Sequence, residues 1–464
     1  MKTKRTLAIA AGKFVYWLSR LSGNRGSSLP GLAARRICPG ILPELAAQVR
    51  RGVIMITGTN GKTTTGNMIA RVLLAAGWKV ISNREGANLI TGVTASFIRK
   101  SSLWGKIDCD YAVLEVDEAS FPGVTAEVRP QIVVLTNFFR DQLDRYWEVD
   151  KIVGLINTAL QKMPDARLVL NADDPLVAQF REKTGLSCTF YGLDGFERTP
   201  GTGDRVREAR FCPFCGASLV YDNFYYSQLG LYRCPGCPFA RPEAQVEAAE
   251  IVLGQGSTTS TVVYDHNRVL LTVPAPGLHN LYNALAAFSA GLSLKVEIES
   301  IIRALSTYVP VSGRMETFTY HEKPVYLNLV KNPAGFNEGL AALLNGKECS
   351  KDVLLAINDL DADGRDISWL WDVDFEVLAE AGRLSFFCTG RRGEEMALRL
   401  KYAGISTDRI GLSRDMRTAV RKALAGTGEK VYFYTTYTAL WPVRKILSRM
   451  ALEGNYDQNL PSLS

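Results

Sequence analysis

Residues 57–64 read Thr57-Gly58-Thr59-Asn60-Gly61-Lys62-Thr63-Thr64, directly after the apolar run Val53-Ile54-Met55-Ile56. An apolar run that ends in a Gly-rich turn and feeds a helix is a physical recipe for holding phosphate. Backbone N–H groups and the positive helix end face the anion, Lys62 reaches the terminal phosphates, and a Thr hydroxyl can ligate Mg²⁺. A plain strand–turn–helix junction is the alternative, but Gly-Lys-Thr at such a junction argues against it. Ile56 stands where the general GxxxxGK loop has its first Gly, so the loop is a shortened form. The chain is expected to bind ATP.

Downstream, buried-strand runs alternate with helical patterns. Lys79–Ser82, Tyr111–Val116, Gln131–Thr136 and Arg167–Asn171 read as strands of a mainly parallel sheet with helices on both faces. The sheet resumes through Ser260–Thr272 and a helix beginning near His279. A second series, Val325–Val330, Val353–Asn358, Leu384–Thr389 and Val431–Thr436, predicts a smaller Rossmann-like α/β domain. The expected organisation is an N-terminal helical segment over 1–50, a central P-loop ATPase domain over 51–312 and a C-terminal α/β domain over 313–464.

Cys212-Pro-Phe-Cys215 and Cys234-Pro-Gly-Cys237 interrupt the central domain, within an insertion of about 205–242. Two CxxC knuckles at this separation can wrap one tetrahedral Zn²⁺, and Pro and Gly inside them suit the tight turns. Disulfides are the alternative, which a cytoplasmic ATP enzyme disfavours. Four Cys ligands leave no open position, so the metal is expected to be structural. Cys38, Cys109, Cys188, Cys349 and Cys388 are scattered and read as small core residues.

The 464 residues suffice for two to four domains, and 47% hydrophobic with 22% charged residues suits a globular protein. A net charge of +7 fits an anionic substrate, a membrane surface or an acidic partner. No Lys/Arg stripe with interleaved aromatics appears, so nucleic acid is not an expected partner. No run approaches the roughly 20 apolar residues of a membrane span. Near the N-terminus Lys13 interrupts the apolar stretch, which argues against a signal peptide, and the compartment is expected to be cytoplasmic. Phe14, Val15, Trp17, Leu18 and Leu21 beside Lys13 and Arg20 suggest an amphipathic helix. Its apolar side either packs on the protein's own core, the favoured reading, or lies on the inner face of the membrane.

Further chemistry-bearing residues sit at strand ends. Leu114-Glu115-Val116-Asp117-Glu118 places carboxylates where Mg²⁺ is usually held, or where a helix cap would sit. Thr136-Asn137-Phe138-Phe139-Arg140-Asp141-Gln142-Leu143-Asp144 ends another strand. Asn171-Ala172-Asp173-Asp174-Pro175 ends a third, where the acids read equally well as turn-formers. Gly277-Leu278-His279-Asn280-Leu281-Tyr282-Asn283-Ala284 opens a helix. Gly313-Arg314-Met315-Glu316 lies at the domain junction, where an Arg can neutralise a transferring phosphoryl group.

Together, and in this order, these segments resemble the Mur ligase superfamily, which includes the folylpolyglutamate synthetases. The resemblance spans about residues 53–345. Its members form an acyl phosphate from ATP and a carboxylate, which a nitrogen nucleophile attacks. The resemblance implies an ATP and Mg²⁺ site of Gly58, Thr59, Asn60, Gly61, Lys62, Thr63, Thr64, Glu115 and Asn137, with Asn283 near the adenine and Arg314 on phosphate.

Departures narrow it. About 52 residues precede the phosphate-loop strand, too few for the domain that grips a UDP-sugar in the classical ligases. Gln142 replaces a family metal-site histidine, and Asn328-Leu329-Val330-Lys331-Asn332-Pro333 replaces a family Asp-Tyr-Ala-His-x-Pro segment. With the Cys₄ insertion and Ala362-Asp363-Gly364-Arg365-Asp366-Ile367-Ser368-Trp369, the chain is similar to the MurT family over nearly its whole length. MurT proteins are ligase-like subunits that pair with a GatD glutaminase and amidate the D-glutamate α-carboxylate of lipid II. The resemblance implies such a heterodimer, lipid II as substrate at the membrane surface, and an Asp supplied to the partner's Cys–His pair. That residue would be Asp366, with Asp363 as rival. The competing activities are an amino-acid ligase of the Mur or folylpolyglutamate type, a zinc-ribbon nucleic-acid ATPase and a non-catalytic scaffold.

Overall fold

A computed structural model describes residues 2–21, 28–83, 87–140, 149–196, 208–254, 256–310, 313, 315–344, 349–381 and 383–457. The described residues form two compact units, the first of 2–139, 149–196 and 208–309, the second of Arg140 and Pro310 onward.

The first unit is built on a nine-stranded sheet. Its strands are β1 (Gly52–Thr57), β2 (Val80–Ser82), β3 (Tyr111–Glu115), β4 (Ile132–Leu135), β5 (Arg167–Asn171), β6 (Cys188–Leu193), β9 (Val246–Leu253), β10 (Thr258–Tyr264) and β11 (Asn267–Val273), in the order β11-β10-β9-β6-β5-β4-β1-β3-β2. From β6 to β2 all pairs are parallel, and β9 continues parallel to β6. An antiparallel β9–β10–β11 meander forms the far edge. β1, β3 and β4 are almost wholly buried, as Val/Ile/Leu runs covered on both faces must be. The helices Lys62–Ala75 and Leu278–Ser293 pack against each other beside the sheet. Between β6 and β9 the chain leaves the sheet for the two-stranded ribbon β7 (Val220–Tyr226) and β8 (Leu229–Arg233), which carries the four cysteines at its base.

Among the described residues three helices precede β1: Lys2–Leu21, Leu29–Ile37 and Ile41–Ala46. The first packs on the second and on the helix Ile90–Lys100. Its inward face is Ala8 and Ile9, both fully buried, whereas Phe14, Trp17, Leu18 and Leu21 are exposed. The expectation that Phe14, Val15, Trp17, Leu18 and Leu21 pack on the protein's own core is therefore corrected: Val15 is half-buried, the other four are exposed, and the helix contact is made on the opposite side by Ala8, Ile9, Gly12 and Ser19, where the lack of a side chain at Gly12 allows close approach.

The second unit has a six-stranded sheet of β12 (Glu316–Tyr320), β13 (Lys323–Leu329), β14 (Lys351–Ala356), β15 (Leu384–Thr389), β16 (Ile410–Leu412) and β17 (Lys430–Thr435). Their order is β12-β13-β17-β14-β15-β16, parallel except for the β12–β13 hairpin. One face packs on a core containing Phe336, Trp369 and Phe375, and the other on one containing Ala419, Leu440 and Leu447.

Candidate active site and metal centre

The turn after β1 works because two glycines have no side chain. Gly58 (φ +123°) and Gly61 (φ +86°) adopt conformations that L residues resist, and Gly61 begins the helix Lys62–Ala75. A Cβ at Gly58 would meet Thr136 Oγ1 at 2.4 Å, and one at Gly61 would meet Asn283 Oδ1 at 2.1 Å. The loop is pinned to the end of β4: Asn60 N–H donates to Asn137 Oδ1 (2.8 Å), Asn137 Nδ2 donates to Asn60 O (3.1 Å), and Thr59 N–H donates to Asn137 O (2.8 Å). Thr65 Oγ1 donates to Asn283 Oδ1 (3.1 Å), so the helix Leu278–Ser293 buttresses the loop from the other side.

Lys62 is buried. Its Nζ donates to Gly58 O (2.6 Å), Thr59 O (3.2 Å) and Glu118 Oε1 (3.0 Å). Burial works against the ammonium, but the carboxylates of Glu118, Glu115 and Asp117 outweigh it and hold the pKa above its ordinary value. Glu115, Asp117 and Glu118 are each buried, three acids beside one lysine. Such a site suits a further cation. Thr63 Oγ1 donates to Glu115 Oε2 (2.8 Å), bringing together a hydroxyl and a carboxylate, the hard oxygen donors that Mg²⁺ takes.

The four thiols form a second centre. The Sγ atoms of Cys212, Cys215, Cys234 and Cys237 lie within 4.8 Å of one another, with Cys212–Cys237 at 3.5 Å and Cys215–Cys234 at 3.3 Å, and none is in a disulfide. Among the described residues this is the one group of three or more Cys, His, Asp or Glu side chains that converges on a point. Four sulfurs so placed fit a closed tetrahedral Zn²⁺.

The ribbon reaches the phosphate loop. Gln228, at its turn, donates to Phe138 O (2.6 Å), and the Tyr226 ring lies 5.3 Å from that of Phe139. Phe139 N–H donates in turn to Thr59 Oγ1 (3.1 Å). Asp173 holds the ribbon through its backbone O, which accepts from Gly230 N–H of β8 (2.9 Å), while its carboxylate accepts from Arg241 Nε (2.6 Å), Tyr282 OH (2.7 Å) and Leu193 N–H (2.9 Å). Asp174 caps the helix Pro175–Ala178 through Leu176 N–H and accepts from Phe138 N–H (3.0 Å). Both acids of the 171–175 segment are structural.

In the second unit the loop after β14 holds two aspartates of different standing. Asp363 is buried and accepts from Leu360 N–H (3.1 Å), Thr438 N–H (2.7 Å) and Thr438 Oγ1. Asp366 is half-buried and accepts from Ser368 N–H (2.8 Å), the first residue of the short helix Ser368–Asp372. Asn332 Oδ1 accepts from Gly335 N–H (2.9 Å) at the start of the helix Pro333–Leu344. Glu316 is clamped by Arg444, with contacts of 2.7–3.0 Å.

Two family models match the chain: the Mur ligase middle domain over residues 56–211 and the MurT ligase C-terminal domain over 329–440. A Staphylococcus aureus (strain COL) protein named lipid II isoglutaminyl synthase (glutamine-hydrolyzing) subunit MurT is 38% identical over 96% of this chain and 98% of its own length. The chain belongs to the MurT family. The protein of the same name from Streptococcus pneumoniae (strain ATCC BAA-255 / R6) is 34% identical over 97% of this chain and 98% of its own. A pseudomurein peptide ligase type C from Methanothermus fervidus shares the fold, with TM-score 0.68, 24% identity, 88% of this chain covered and 80% of that one.

As a MurT-family member the chain is by class an ATP-dependent ligase subunit. Within its first unit, Gly58, Thr59, Asn60, Gly61, Lys62, Thr63, Glu115, Asn137 and Asn283 meet in one region, as the contacts above show, and Thr64 is buried in the first turn of the same helix. Asn283 touches the loop's turn and Thr65, a buttressing position. Arg314 lies outside the described residues, as do Asp141, Gln142, Leu143 and Asp144. Glu118, the direct partner of Lys62, was not singled out in the sequence, because nothing local separates it from Glu115 and Asp117. Among the described residues no helix is long and apolar enough to cross a membrane.

Proposed function

We propose that the chain is the synthase subunit of a heterodimeric amidotransferase that converts the D-glutamate α-carboxylate of lipid II to an amide. The observation that carries this is the MurT similarity over nearly the whole length of both chains, supported by a Gly-rich turn in which Lys62 Nζ donates to Gly58 O and Thr63 Oγ1 to Glu115. ATP supplies the phosphoryl group that activates the carboxylate. A carboxylate oxygen attacks the γ-phosphorus and ADP leaves; ammonia then attacks the carbonyl carbon and phosphate leaves with the oxygen. Lys62 and the loop N–H groups orient the phosphates and offset their charge, while Thr63 and Glu115 would hold Mg²⁺. Cys212, Cys215, Cys234 and Cys237 would hold a structural Zn²⁺. Arg314 on phosphate and Asn283 near the adenine complete the proposed ATP site.

Ammonia is largely ammonium at neutral pH, so local delivery has an advantage. A hydrolase dyad needs a histidine, and the chain has three. His266 and His321 sit at positive φ in the two-residue turns of the β10–β11 and β12–β13 hairpins, poor places to hold a catalytic imidazole. His279 remains, but burial pushes the Cys109, Cys188 and Cys388 thiols above their ordinary range, away from a nucleophilic thiolate, which favours glutamine hydrolysis on a separate GatD-type subunit. Asp366 completes that partner's triad in this reading, because Asp363 is already engaged by Thr438 and Leu360. The proposed domain division is a central ATP domain over 51–312 and a glutaminase-contacting domain over 313–464, and the reaction belongs on the cytoplasmic side of the membrane.

The test is mass spectrometry of lipid II incubated with this chain, ATP and either ammonium or glutamine plus the glutaminase. Amidation replaces OH by NH₂ and lowers the mass by about one dalton, a barrier-crossing that requires ATP. A mass increase by one amino-acid residue would favour the amino-acid ligase, and an unchanged mass would reject both.

A further inference from the structure

The first helix, α1 (Lys2–Leu21), has two apolar faces, and intramolecular packing uses one. Ala8 and Ile9 point inward, and a Cβ at Gly12 would meet Ile98 Cγ2 at 2.9 Å and Pro30 O at 3.1 Å. On the opposite side Leu7, Phe14, Trp17, Leu18 and Leu21 are 59%, 58%, 56%, 42% and 67% exposed. At about 100° per residue these five fall within an arc of roughly 100°. The residues that share the arc are Thr3 and Ala10, so it contains no charge. Lys4 borders it on one side, Lys13 and Arg20 on the other.

Charge singles out the same end of the chain. Residues 1–50 contain nine Lys or Arg and one acid, Glu44, while the remaining 414 residues contain 45 Lys or Arg and 46 acids. The net +7 of the chain therefore resides entirely in this segment. A protein partner could cover an apolar stripe, but an uncharged aromatic arc with cationic borders in an otherwise charge-balanced chain matches an anionic bilayer surface.

We propose that α1 is an interfacial membrane anchor. It lies parallel to an anionic lipid surface, with Phe14, Trp17 and Leu21 in the acyl boundary and Lys4 and Arg20 on headgroup phosphates. Its inward face stays fixed to the first unit, so binding needs no unfolding. The anchor deepens the amidation reading, on which its purpose rests: it brings the ATP unit to the surface in which a lipid-linked carboxylate is held.

The experiment is flotation of the full chain with vesicles of phosphatidylcholine alone or mixed with phosphatidylglycerol, at low and high salt. The chain should float with the anionic vesicles and bind about tenfold less to neutral ones or at high salt. Phe14→Ser/Trp17→Ser should weaken binding about tenfold or more, and Lys4→Glu/Arg20→Glu should abolish the anionic preference. Both variants should keep the wild-type melting profile and amidate detergent-solubilised lipid II normally, yet turn over vesicle-embedded lipid II poorly. Absence of flotation by the wild type, or unchanged flotation of Phe14→Ser/Trp17→Ser, overturns the anchor. So does loss of the glutaminase complex or of a self-dimer in these variants with vesicle binding intact. If wild type fails in detergent, the amidation reading falls, and the flotation result still decides the anchor on its own.

Discussion

Each unit has an acid-bearing segment after a buried parallel strand, β3 in the first and β14 in the second, and the two put their carboxylates to different uses. In the first unit Glu115, Asp117 and Glu118 are all buried around Lys62. In the second unit Asp363 is buried and saturated by Leu360 and Thr438, while Asp366 three residues later is half-buried with one backbone donor. The lesson is that burial with a cation concentrates charge for a ligand, burial with neutral donors shapes a loop, and partial exposure leaves a carboxylate for another molecule.

Removing Lys62 should strain that comparison most. Lys62→Ala is expected to reduce amidation over a hundredfold, from about 3 kcal/mol of lost phosphate interaction. Its burial adds a second effect: the three acids lose their internal cation, so the first unit should also melt earlier. Lys62→Met/Glu118→Gln should recover melting temperature without recovering turnover. Recovery of turnover by that pair would mean the ammonium serves the fold and not the phosphates.

The next largest effect should separate the two aspartates. Asp366→Asn keeps size and the Ser368 contact but removes the charge that would steady an imidazolium, so glutamine-driven amidation should fall about a hundredfold. Ammonium-driven amidation should survive, because the ATP chemistry belongs to the first unit. Asp363→Asn should instead lower the melting temperature of the second unit, since its amide N–H would face a donor of Thr438 or Leu360. Equal loss of both reactions in Asp366→Asn would return that residue to the ligase site or the fold.

Sequence reading reached the phosphate loop, both sheets and the cysteine quartet because each is a local pattern. Gly58, Gly61 and Lys62 are adjacent, buried strands are apolar runs, and CxxC carries its own turn. It missed β6, β9, β12 and β16 and ran β10 and β11 together as Ser260–Thr272; β9 reads Val-Glu-Ala-Ala-Glu-Ile-Val-Leu, with Ala and Glu that strands disfavour. What it could not settle depends on distant partners. Asp363 is distinguished from Asp366 by Thr438, and Asn283 is placed by Thr65, 218 positions away. The outward turn of Phe14, Trp17 and Leu18 was equally hidden, since periodicity shows that a helix has an apolar side but not which side its neighbours take.

A smaller effect should tie the metal centre to the buried acids of the first unit. Cys234→Ser should bring zinc content below one per chain by elemental analysis. Through Gln228, Phe138, Phe139 and Thr59, it should also weaken ATP binding about three- to tenfold, the size of one or two neutral hydrogen bonds. Calorimetric titration with ATP checks it. Unchanged ATP affinity in a zinc-free chain would show that the ribbon and the phosphate loop are energetically separate despite their contact.

The smallest effect concerns a buried acid with no cation against it. Burial pushes the Asp174 carboxyl up to about 7, opposing the backbone N–H groups of Phe138 and Leu176 that favour its ionised form. In the unfolded chain it titrates near 3.8. Between these values the folded state keeps a proton that the unfolded state has released. Stability from this group is therefore complete below about pH 4, declines as pH rises towards 7, and is level above that, with a slope of at most about 1.4 kcal/mol per pH unit. Asp174→Asn can still cap Leu176 but turns an amide N–H towards that of Phe138, a cost of about 1 kcal/mol that does not vary with pH. The stability of wild type minus that of the variant should therefore fall as pH rises from 4.5 to 7 and then level. Thermal melts of the two proteins across that range measure the difference. A flat difference would mean that Asp174 is ionised throughout, and that neutral donors, the backbone N–H groups of Phe138, Leu176 and Val177 with the Gln228 amide, suffice to hold a buried carboxylate charged without a lysine like Lys62 beside it.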